Sequence, residues 1–474
     1  MSRLFISAAH KSSGKTTISI GLCAAFARRG LKVQPFKKGP DYIDPMWLGA
    51  AAGSDCINLD FNTMGVDELL NTYAHYAKGS DLCLIEGNKG LYDGLDLHGS
   101  NSNAALATHL DAPVILVIDA QGMTRGIAPL ILGYQAFEPK LNISGVILNK
   151  LGGKRHEQKL RDVIEHYTDV PVVGAVHRDS DLELEERHLG LMPSNEINSA
   201  LAHIQRIAQS IQSQVDCDKL IGLSKSGHLL NSNANLDEVV DNSQVTVSKQ
   251  PVRIGITRDQ AFGFYYPDDL HRFKVQGVEL VSIDTINDEQ LPQINGLFIG
   301  GGFPETQMQK LEANESLRTQ IRQAIEDGLP VYAECGGLMY LTRNITWRSA
   351  KYNMVGAIPA DTIMCKRPQG RGYVHLKTTM DYPWPQAATA PIDEFWAHEF
   401  HYSRLENIDP GVKFAYEVHR GAGIDGKSDG IVYKNVLGSY VHLRDVKNNR
   451  WVERFVDFVR QTKFTIKGEQ SPLI

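Results

Sequence analysis

Residues 4–17 read LFISAAHKSSGKTT, an apolar run followed by a short loop of small and polar residues that ends in Gly14-Lys15-Thr16. This is the order of a buried strand, a phosphate-binding loop and the first turn of a helix. Backbone N–H groups at the start of a helix attract phosphate, and Lys15 can neutralise the phosphate oxygens. A chance loop that ends in a helix cap is the alternative. The stretch predicts an α/β domain built around a nucleotide site.

The same loop supplies the candidate ATP ligands. The Thr16 hydroxyl can complete the coordination shell of Mg²⁺, an ion that prefers oxygen donors. Ala9 departs from the usual pattern, because such loops ordinarily begin with glycine. The candidate ATP-binding residues of the loop are Ser13, Gly14, Lys15, Thr16 and Thr17.

Apolar runs and helix-like stretches alternate along the chain. Strands that are apolar throughout are typical of a parallel sheet covered by helices on both faces. In the first half the predicted strands are 4–8, 33–36, 82–85, 114–118 and 145–148, and the first predicted helix is 17–29. A second alternation of this kind begins at Val252.

Two domains are expected from the length of 474 residues, since a single core rarely serves more than about 250 to 300 residues. We place the first domain at residues 1–195. Residues 196–250 are assigned to a helix and a polar linker, because this segment becomes rich in Ser, Asn, Asp and Gly. The second domain then spans residues 251–474.

Acidic residues follow several predicted strands. Glu86 and Asp119 each end a strand, and each could hold Mg²⁺ as a Walker B acid does. The sequence does not decide between them. Asp41 and Asp44 lie in GPDYIDP, residues 39–45, at the sheet edge where open α/β folds bind ligands. Turn formation is the alternative reading of these two acids, because Gly, Pro and Asp build turns unaided.

Three more residues complete the candidate N-terminal site. Tyr42 lies between the two acids of the turn, and Asp93 follows in LYDG, residues 91–94. We assign both, together with Asp41 and Asp44, to the substrate and acyl-phosphate site. Asn149 closes a predicted strand and suits adenine recognition, with a plain strand end as the alternative.

Residues 330–341 read PVYAECGGLMYL, a strand, a tight turn and a helix with Cys335 at the turn. This is the pattern of a nucleophile elbow that carries Cys in place of Ser. We expect the helix N-terminus to lower the pKa of the thiol and favour the attacking thiolate. A buried structural cysteine is the alternative. An ATP site and a thiolate able to attack an amide together predict an amide-forming ligase.

An oxyanion site and a base are needed beside Cys335. Backbone N–H groups of Gly301, Gly302 and Gly336 are the candidates for the oxyanion and glutamine site. For the base we choose His442, which follows a predicted strand in GSYVHL.

The rivals of this base are His398 and His401. Glutamine amidotransferases often carry His-x-Glu at the base, whereas this chain has Arg444 there and Asp445 next. The acid that orients the histidine is therefore left open, and a Cys335–His442 dyad could suffice.

Composition excludes several classes of protein. The net charge of −6 and the absence of a long basic stripe argue against a nucleic-acid partner. No apolar run approaches a membrane span, and the N-terminus turns polar too soon for a signal peptide. The six cysteines show no metal-ligand spacing. We expect a cytoplasmic protein without a membrane partner.

Together these features resemble the cobyrinic acid a,c-diamide synthase family over nearly the whole chain. The segments that carry the resemblance are VQPFK at 33–37, GPDYID at 39–44, EG at 86–87, GLYDG at 90–94, ERHLGL at 186–191 and CGG at 335–337. The resemblance implies a dethiobiotin-synthetase-like P-loop domain joined to a class I glutamine amidotransferase domain of flavodoxin-like fold.

The resemblance also implies the chemistry. Magnesium-ATP would phosphorylate a substrate carboxylate, and ammonia released at Cys335 would pass between the domains and displace the phosphate. The implied substrates are ATP, glutamine and the a and c acetate side chains of a tetrapyrrole, with a homodimer left open. Asp41, Glu86 and Asp93 match the acidic site residues of the family.

Departures from the family pattern keep alternatives open. Lys38, Met46-Trp47-Leu48 and Asn88-Lys89 differ from the residues common in the family and are expected to flank the substrate. The resemblance implies cobyrinate, a corrinoid, as the substrate, and these departures raise sirohaem or nickel-sirohydrochlorin as alternative substrates of the same chemistry. A P-loop switch of the partitioning type is the alternative from another class of protein, although it leaves Cys335 without a task.

Overall fold

The computed structural model describes residues 2–179, 182, 186–187, 190–196, 200–225, 252–385, 394–462 and 464. The chain divides into two compact units, residues 1–61 with 65–240 and residues 241–474 with 62–64. From residue 226 onward the predicted polar linker lies outside the described residues.

The first unit contains a seven-stranded parallel sheet. Its strands are β1 (Ser2–Ala8), β2 (Val33–Lys38), β3 (Ile57–Leu59), β4 (Leu82–Glu86), β5 (Val114–Asp119), β6 (Ile143–Leu151) and β7 (Val172–His177). Their order is β3-β2-β4-β1-β5-β6-β7, and every neighbouring pair is parallel. A small hairpin of β8 (Glu186–Arg187) and β9 (Gly190–Leu191) follows. The predicted parallel α/β architecture is confirmed.

Helices cover this sheet: α1 (Lys15–Arg28), α2 (Ile43–Ala52), α3 (Val66–Ala77), α4 (Asn103–His109), α5 (Ile127–Phe137), α6 (Lys154–Tyr167), α7 (Ala200–Gln214) and α8 (Cys217–Leu223). The central strand β1 lies between β4 and β5, so the loop after β1 is flanked by the carboxyl ends of both neighbours. That placement brings residues from several strand ends to one edge of the sheet.

Helix α7 belongs to the first unit, although residues 196–222 were expected to lie beyond a domain ending at residue 195. Its apolar face buries Ile204, Ile207 and Ile211 in the core of that unit. Gly21 of α1 allows the close approach, because a Cβ there would lie 2.3 Å from Ile211. The structure thus extends this unit past residue 195, since an amphipathic helix must bury its apolar stripe somewhere.

The strands of the second unit are β10 (Val252–Thr257), β11 (Phe262–Phe264), β12 (Val278–Ile283), β13 (Gly296–Ile299), β14 (Gly301–Gly302), β15 (Val331–Glu334), β16 (Asn344–Trp347), β17 (Ala350–Asn353), β18 (Asp361–Met364), β19 (Gly370–Thr378), β20 (Glu394–His401), β21 (Ser403–Glu406), β22 (Lys413–Arg420), β23 (Ser428–Tyr433) and β24 (Val436–Ser439). Nine of them form one sheet in the order β12-β10-β13-β15-β24-β23-β22-β19-β20. The first five are parallel and the rest antiparallel.

Smaller elements complete this unit. Strands β17, β16, β18 and β21 form a four-stranded sheet, and β11 pairs with β14. The helices are α9 (Pro267–Val275), α10 (Met308–Ala313), α11 (Glu315–Glu326), α12 (Gly336–Leu341) and α13 (Trp451–Thr462). Within the described part of the chain, no helix is both long and apolar enough to cross a membrane.

Candidate functional site

Two residues in the left-handed region shape the loop between β1 and α1. Ser12 has φ 67° and Gly14 has φ 81°, and Lys15 then begins α1. A Cβ on Gly14 would also lie 2.2 Å from the side-chain nitrogen of Asn149. Ala9 is not among the residues with positive φ, so alanine can take the place of the usual leading glycine.

The end of β6 braces this loop. Asn149 Nδ2 donates a hydrogen bond to the Ser13 carbonyl at 2.8 Å, and Lys150 Nζ donates to the Ser12 carbonyl at 2.9 Å. Lys150 also pairs with Asp119 Oδ2 at 2.9 Å. In the structure the Asn149 side chain contacts the loop backbone. Its contact with adenine stays a prediction.

Glu86 is the strand-end acid that faces the loop. Thr16 Oγ1 donates to Glu86 Oε1 at 2.9 Å, while the Asp119 carboxylate is engaged by Lys150. Glu86 is fully buried, and its Oε2 has no hydrogen-bond partner among the described residues. A buried carboxylate oxygen beside a threonine hydroxyl is a donor set that suits Mg²⁺.

The acids of the turn join the same cluster. Asp44 lies in the first turn of α2, and its Oδ2 is 3.4 Å from Thr16 Oγ1. Asp41 Oδ1 accepts the backbone N–H groups of Ile43 at 2.9 Å and Asp44 at 3.2 Å. Asp41 therefore builds the turn and also presents its other oxygen to the site.

Lys37 lies at the centre of these acids, and the sequence predictions missed it. From the end of β2 its ammonium contacts the Asp44 carboxylate, Glu86 Oε1 at 2.6 Å and Asp41 Oδ2 at 3.9 Å. Burial opposes its charge, yet Asp44 and Glu86 hold the pKa of Lys37 well above its usual value. A lysine inside an apolar strand that runs into an acidic turn was the available signal.

Lys15 brings a second ammonium to the cluster. Burial, and then the charge of Lys37, lowers the pKa of Lys15. Burial and the Asp44 charge raise the pKa of Asp41 to about 7. Two ammonium groups thus face three carboxylates, and this excess of oxygen donors over cations suits a divalent cation.

Asp93 and Tyr42 occupy less central places. Asp93 is exposed, and its Oδ2 accepts the Gly90 N–H at 2.8 Å, which is a turn contact. Tyr42 is a buried residue at the N-terminus of α2.

Asn103 is a further residue that no motif indicated. It holds the loop between β4 and α4 through hydrogen bonds from its Nδ2 to Ser7 Oγ and the Gly90 carbonyl.

Cys335 sits at a strained turn between β15 and α12. Its φ of 47° and ψ of −99° are unusual for a residue with a side chain. The glycine after the turn is required by close approach, since a Cβ on Gly337 would lie 2.2 Å from the Ile299 carbonyl oxygen. The order of strand, strained cysteine and short helix is the backbone geometry expected of the predicted elbow.

The glycines after β13 lie beside this elbow. A Cβ on Gly336 would be 3.0 Å from Gly302 N, and a Cβ on Gly301 would be 2.7 Å from His442 Cε1. Gly301 and Gly302 thus lie between the elbow and the predicted base. Neither has positive φ, so close packing rather than flexibility is the reason for glycine here.

Glu334 is the acid next to the predicted base. His442 Nδ1 lies 3.5 Å from Glu334 Oε2, and both side chains are more than nine-tenths buried. Glu334 Oε1 accepts the Tyr332 hydroxyl at 2.6 Å and the Leu443 N–H at 2.9 Å, which fixes the carboxylate. The sequence search for an orienting acid looked after the histidine, whereas this one precedes the cysteine.

The rival histidines have other surroundings. His398 stacks on His442 with ring centroids 4.9 Å apart, and burial, then His442, lowers the pKa of His398 well below its usual value. His401 stacks on Tyr440 at 3.9 Å, and its Nδ1 is bonded to the Ser403 carbonyl. His401 Nε2 lies 3.6 Å from a different acid, Glu399, whereas His442 lies beside Glu334 and close to Gly301.

The two matched regions of the chain correspond to these two sites. Residues 5–191 match the CobQ/CobB/MinD/ParA nucleotide binding domain, and residues 253–449 match the CobB/CobQ-like glutamine amidotransferase domain. A cobyrinate a,c-diamide synthase of Magnetococcus marinus is 44% identical, with 97% of each chain covered. Enzymes of that name from Methanosarcina acetivorans and Archaeoglobus fulgidus are 42% and 38% identical, over 94% and 96% of this chain and 92% and 96% of theirs.

The chain belongs to the cobyrinate a,c-diamide synthase family. The resemblance inferred from the motifs is confirmed, as is the combination of a P-loop domain with a glutamine amidotransferase domain. A partitioning-type switch is not favoured, because that reading covers the nucleotide-binding match and leaves the amidotransferase match unexplained.

One departure from the cobyrinate a,c-diamide synthase pattern proves to be a core residue. Trp47 is 1% exposed, and its indole N–H donates to the Met192 carbonyl at 2.9 Å. The expectation that Trp47 flanks the substrate is therefore wrong, because its ring is enclosed by the core of the first unit. Lys38 and Asn88, two other departures, contact each other at 3.3 Å.

The residues that follow His442, Arg444 and Asp445, have other partners in the second unit. Arg444 is buried, donates to Asp268 Oδ2 at 2.7 Å and covers the Tyr266 ring. Asp445 pairs with Arg450 at 3.1 Å and accepts the Val452 N–H. These contacts serve packing of the second unit, so Asp445 is not placed to orient the base.

Burial raises the pKa of the Cys335 thiol, and the nearby Glu305 raises it further. The Gly336 N–H at the start of α12 lowers this pKa as expected, but burial and the acids Glu305, Glu334 and Asp429 outweigh it. A thiol with a raised pKa needs a base before it can attack. In the predicted site this base is His442.

We expect slow alkylation of Cys335 by iodoacetamide in the free protein, with a rate that keeps rising between about pH 7 and about pH 9. Peptide mass spectrometry would follow the labelling. Cys23 is fully buried, so its labelling would report opening of the fold. A rate for Cys335 that is already constant at about pH 7 would show a preformed thiolate and contradict this expectation.

Proposed function

We propose that this protein amidates the a and c acetate side chains of cobyrinate, with glutamine as the nitrogen donor and ATP as the source of activation. The observation that carries the proposal is the presence of both candidate sites in a chain that is similar along 97% of its length to an enzyme named for that product. The relatives do not favour sirohaem or nickel-sirohydrochlorin as the substrate.

Glutamine hydrolysis is assigned to the second unit. His442 takes the proton of Cys335, whose sulfur attacks the carbonyl carbon of the glutamine side-chain amide. N–H groups of Gly302 and Gly336 are the candidate donors to the resulting oxyanion. His442 returns the proton to the leaving nitrogen, the C–N bond breaks, and ammonia departs. Water then cleaves the thioester to release glutamate and restore the thiol.

Carboxylate activation is assigned to the first unit. An oxygen of the substrate carboxylate attacks the γ-phosphorus of ATP, and ADP leaves. Ammonia then attacks the acyl carbon, and phosphate departs to give the carboxamide. Lys15 and the backbone N–H groups of the loop bind and orient the phosphates.

The same cluster fits a magnesium ion. Thr16 and Glu86 are the residues that would hold it, and the Glu86 oxygen without a hydrogen-bond partner among the described residues supports this fit. When bound, Mg²⁺ supplies charge neutralisation of the phosphate oxygens. Lys37 lowers the pKa of Asp44 and holds the Asp44 and Glu86 side chains in place, so the chain itself maintains the acidic site.

The proposal is tested by parallel reactions with cobyrinate and sirohaem in the presence of magnesium-ATP and glutamine labelled with ¹⁵N in its amide. Mass spectrometry should find two labelled carboxamides on cobyrinate and none on sirohaem. Labelled sirohaem with unchanged cobyrinate would replace the substrate in this proposal. ATP hydrolysis without any labelled carboxamide would overturn the assigned chemistry.

We expect Glu334→Gln to lower kcat for glutamine-driven amidation by on the order of 10²-fold, because the amide no longer stabilises a protonated base. The isosteric amide can still accept from Tyr332, so the fold should be retained. KM for glutamine should be unchanged, and amidation driven by added ammonia should keep its rate.

Tyr332→Phe is the matched control. It removes one hydrogen bond to Glu334 but leaves the carboxylate beside His442. A small effect of this variant and a large effect of Glu334→Gln are expected. Equal losses in both would mean that Glu334 acts only in packing.

A further inference from the structure

A cluster of two histidines and one glutamate lies at the antiparallel edge of the large sheet in the second unit. His375 is on β19, Glu394 on β20 and His419 on β22, and these are three adjacent strands. Their nearest ligand atoms all lie within 4.8 Å of one another. The elbow strand β15 and its neighbour β24 are in another part of the sheet, separated from β22 by β23.

A β-bulge brings His419 into this cluster. On β22, Arg420 pairs with His375 and Val418 pairs with Leu376, so His419 is the extra residue between two ladder pairs. Leu376 and Val418 belong to the apolar core, on the other side of the sheet from His375. A bulge re-aims the inserted side chain, and here it places the His419 ring 5.7 Å from the His375 ring.

The separations suit a small metal ion. His375 Nε2 lies 3.5 Å from Glu394 Oε2, and His419 Nδ1 lies 3.9 Å from Glu394 Oε1. Tetrahedral ligands at the usual Zn–N and Zn–O distances are separated by about 3.3 Å. Since the three ligand atoms lie within 4.8 Å of one another, side-chain movements of about 1 Å would bring all three groups to one ion.

Other contacts hold the ligands in place. Glu417 Oε2 lies 3.7 Å from His419 Nε2, the ring nitrogen that faces away from Glu394. Histidines that bind metals usually give their second ring N–H to such a carboxylate. His375 stacks on Trp396 with ring centroids 4.8 Å apart and an interplanar angle of 24°.

The side chains are accessible from solvent. Exposed fractions are 24% for His375, 33% for His419 and 45% for Glu394, so an ion has an entry path and room for a fourth ligand. Two imidazole nitrogens and one carboxylate favour Zn²⁺, Ni²⁺ or Co²⁺ over Mg²⁺ and Ca²⁺, which prefer oxygen donors throughout. The donor set thus differs from that of the ATP site.

We propose that His375, Glu394 and His419 form a binding site for a divalent transition-metal ion of the Zn²⁺ class. The ion joins β20, β19 and β22 and so stabilises this edge of the sheet. The site is independent of the catalytic residues assigned above. Because binding occurs only in the folded chain, Zn²⁺ is expected to raise Tm.

The test is calorimetric titration of the full chain with Zn²⁺ in excess Mg²⁺, for wild type, His375→Ala, His419→Gln and the control His166→Ala. His166 is an exposed histidine that also contacts an aromatic ring, that of Tyr167. Wild type and His166→Ala should bind one more Zn²⁺ per chain than the two site variants, or bind it on the order of 100-fold more tightly. Equal stoichiometry and affinity in all four proteins would overturn the proposal.

Trp396 supplies a second readout that locates the ion. Paramagnetic Ni²⁺ near the His375–Trp396 stack should quench the fluorescence of this indole, and the quenched component should be missing in Trp396→Phe. His419→Gln leaves the stack intact and should abolish the quenching while keeping the Tm measured in EDTA. Quenching that survives in His419→Gln would place the ion elsewhere and refute the assignment.

Discussion

Replacing Cys335 with alanine is expected to abolish glutamine-driven amidation while amidation from added ammonia continues at its normal rate. The loss should be on the order of 10⁴-fold or more, because no other group can form the thioester. The P-loop site does not use the thiol, so magnesium-ATP activation of the carboxylate is unaffected. Steady-state rates with each nitrogen source, followed by mass spectrometry of the product, measure the difference.

Cys365→Ala is the matched control for this variant. Cys365 follows β18 and is less buried than Cys335, and it has no place in the proposed mechanism. Its replacement should leave both rates unchanged. If Cys335→Ala kept its glutamine-driven rate, or lost the ammonia-driven rate equally, the assignment of the nucleophile would be wrong.

Lys37→Met is expected to damage both stability and catalysis. The methionine leaves Asp44 and Glu86 without the ammonium that contacts them, and Glu86 is fully buried. Removing one partner of a buried ion pair costs about 3–5 kcal/mol, because the other charge stays buried without a compensating partner. Urea unfolding in the absence of nucleotide should show a loss of free energy of unfolding in that range.

Activity of Lys37→Met should fall with glutamine and with ammonia alike, by on the order of 10²-fold or more, since the carboxylate-activating site is disturbed. This pattern distinguishes it from Cys335→Ala. Excess Mg²⁺ should recover part of the lost stability if the freed carboxylates bind the ion.

Lys38→Met is the control, because Lys38 is the next residue and also buried, yet the contact shown for its ammonium is the neutral Asn88 amide. Burial lowers the pKa of Lys38 to about 8, which shows that the fold stabilises this charge poorly and that its removal should cost less. A smaller loss of unfolding free energy than in Lys37→Met is expected. Equal losses of unfolding free energy in the two variants would mean that replacing any buried lysine has this effect, and that the ion pairs of Lys37 do not account for it.

Much of the fold was predictable because the main motifs are contiguous. The stretch 4–17 carries strand, loop and helix start in one run, and residues 330–341 do the same for the elbow. The alternation of apolar runs then predicted a parallel sheet in which β1 and β15 hold these loops. Local backbone chemistry was sufficient, since each motif is built from neighbours in sequence.

Charged partners drawn from different strands were not predictable. Lys37 reaches Glu86 across β2 and β4, and Glu334 reaches His442 across β15 and β24. The search after His442 for an acid failed because Arg444 and Asp445 are committed to other partners. Such pairs depend on the order of the strands in the sheet. The periodicity of apolar residues along the chain predicts the strands but not their order.

By itself the sequence determined the two α/β domains, the phosphate loop, the cysteine elbow and the family, because residues close together in the chain carry each of these. Tertiary structure alone decided that Glu86 and not Asp119 faces Thr16, that Glu334 lies beside His442, and that Trp47 is enclosed by the core. The physical reason is that parallel strands bring their carboxyl ends to one edge. Which side chains meet there depends on strand order and register, and both are fixed by the packing of the whole unit.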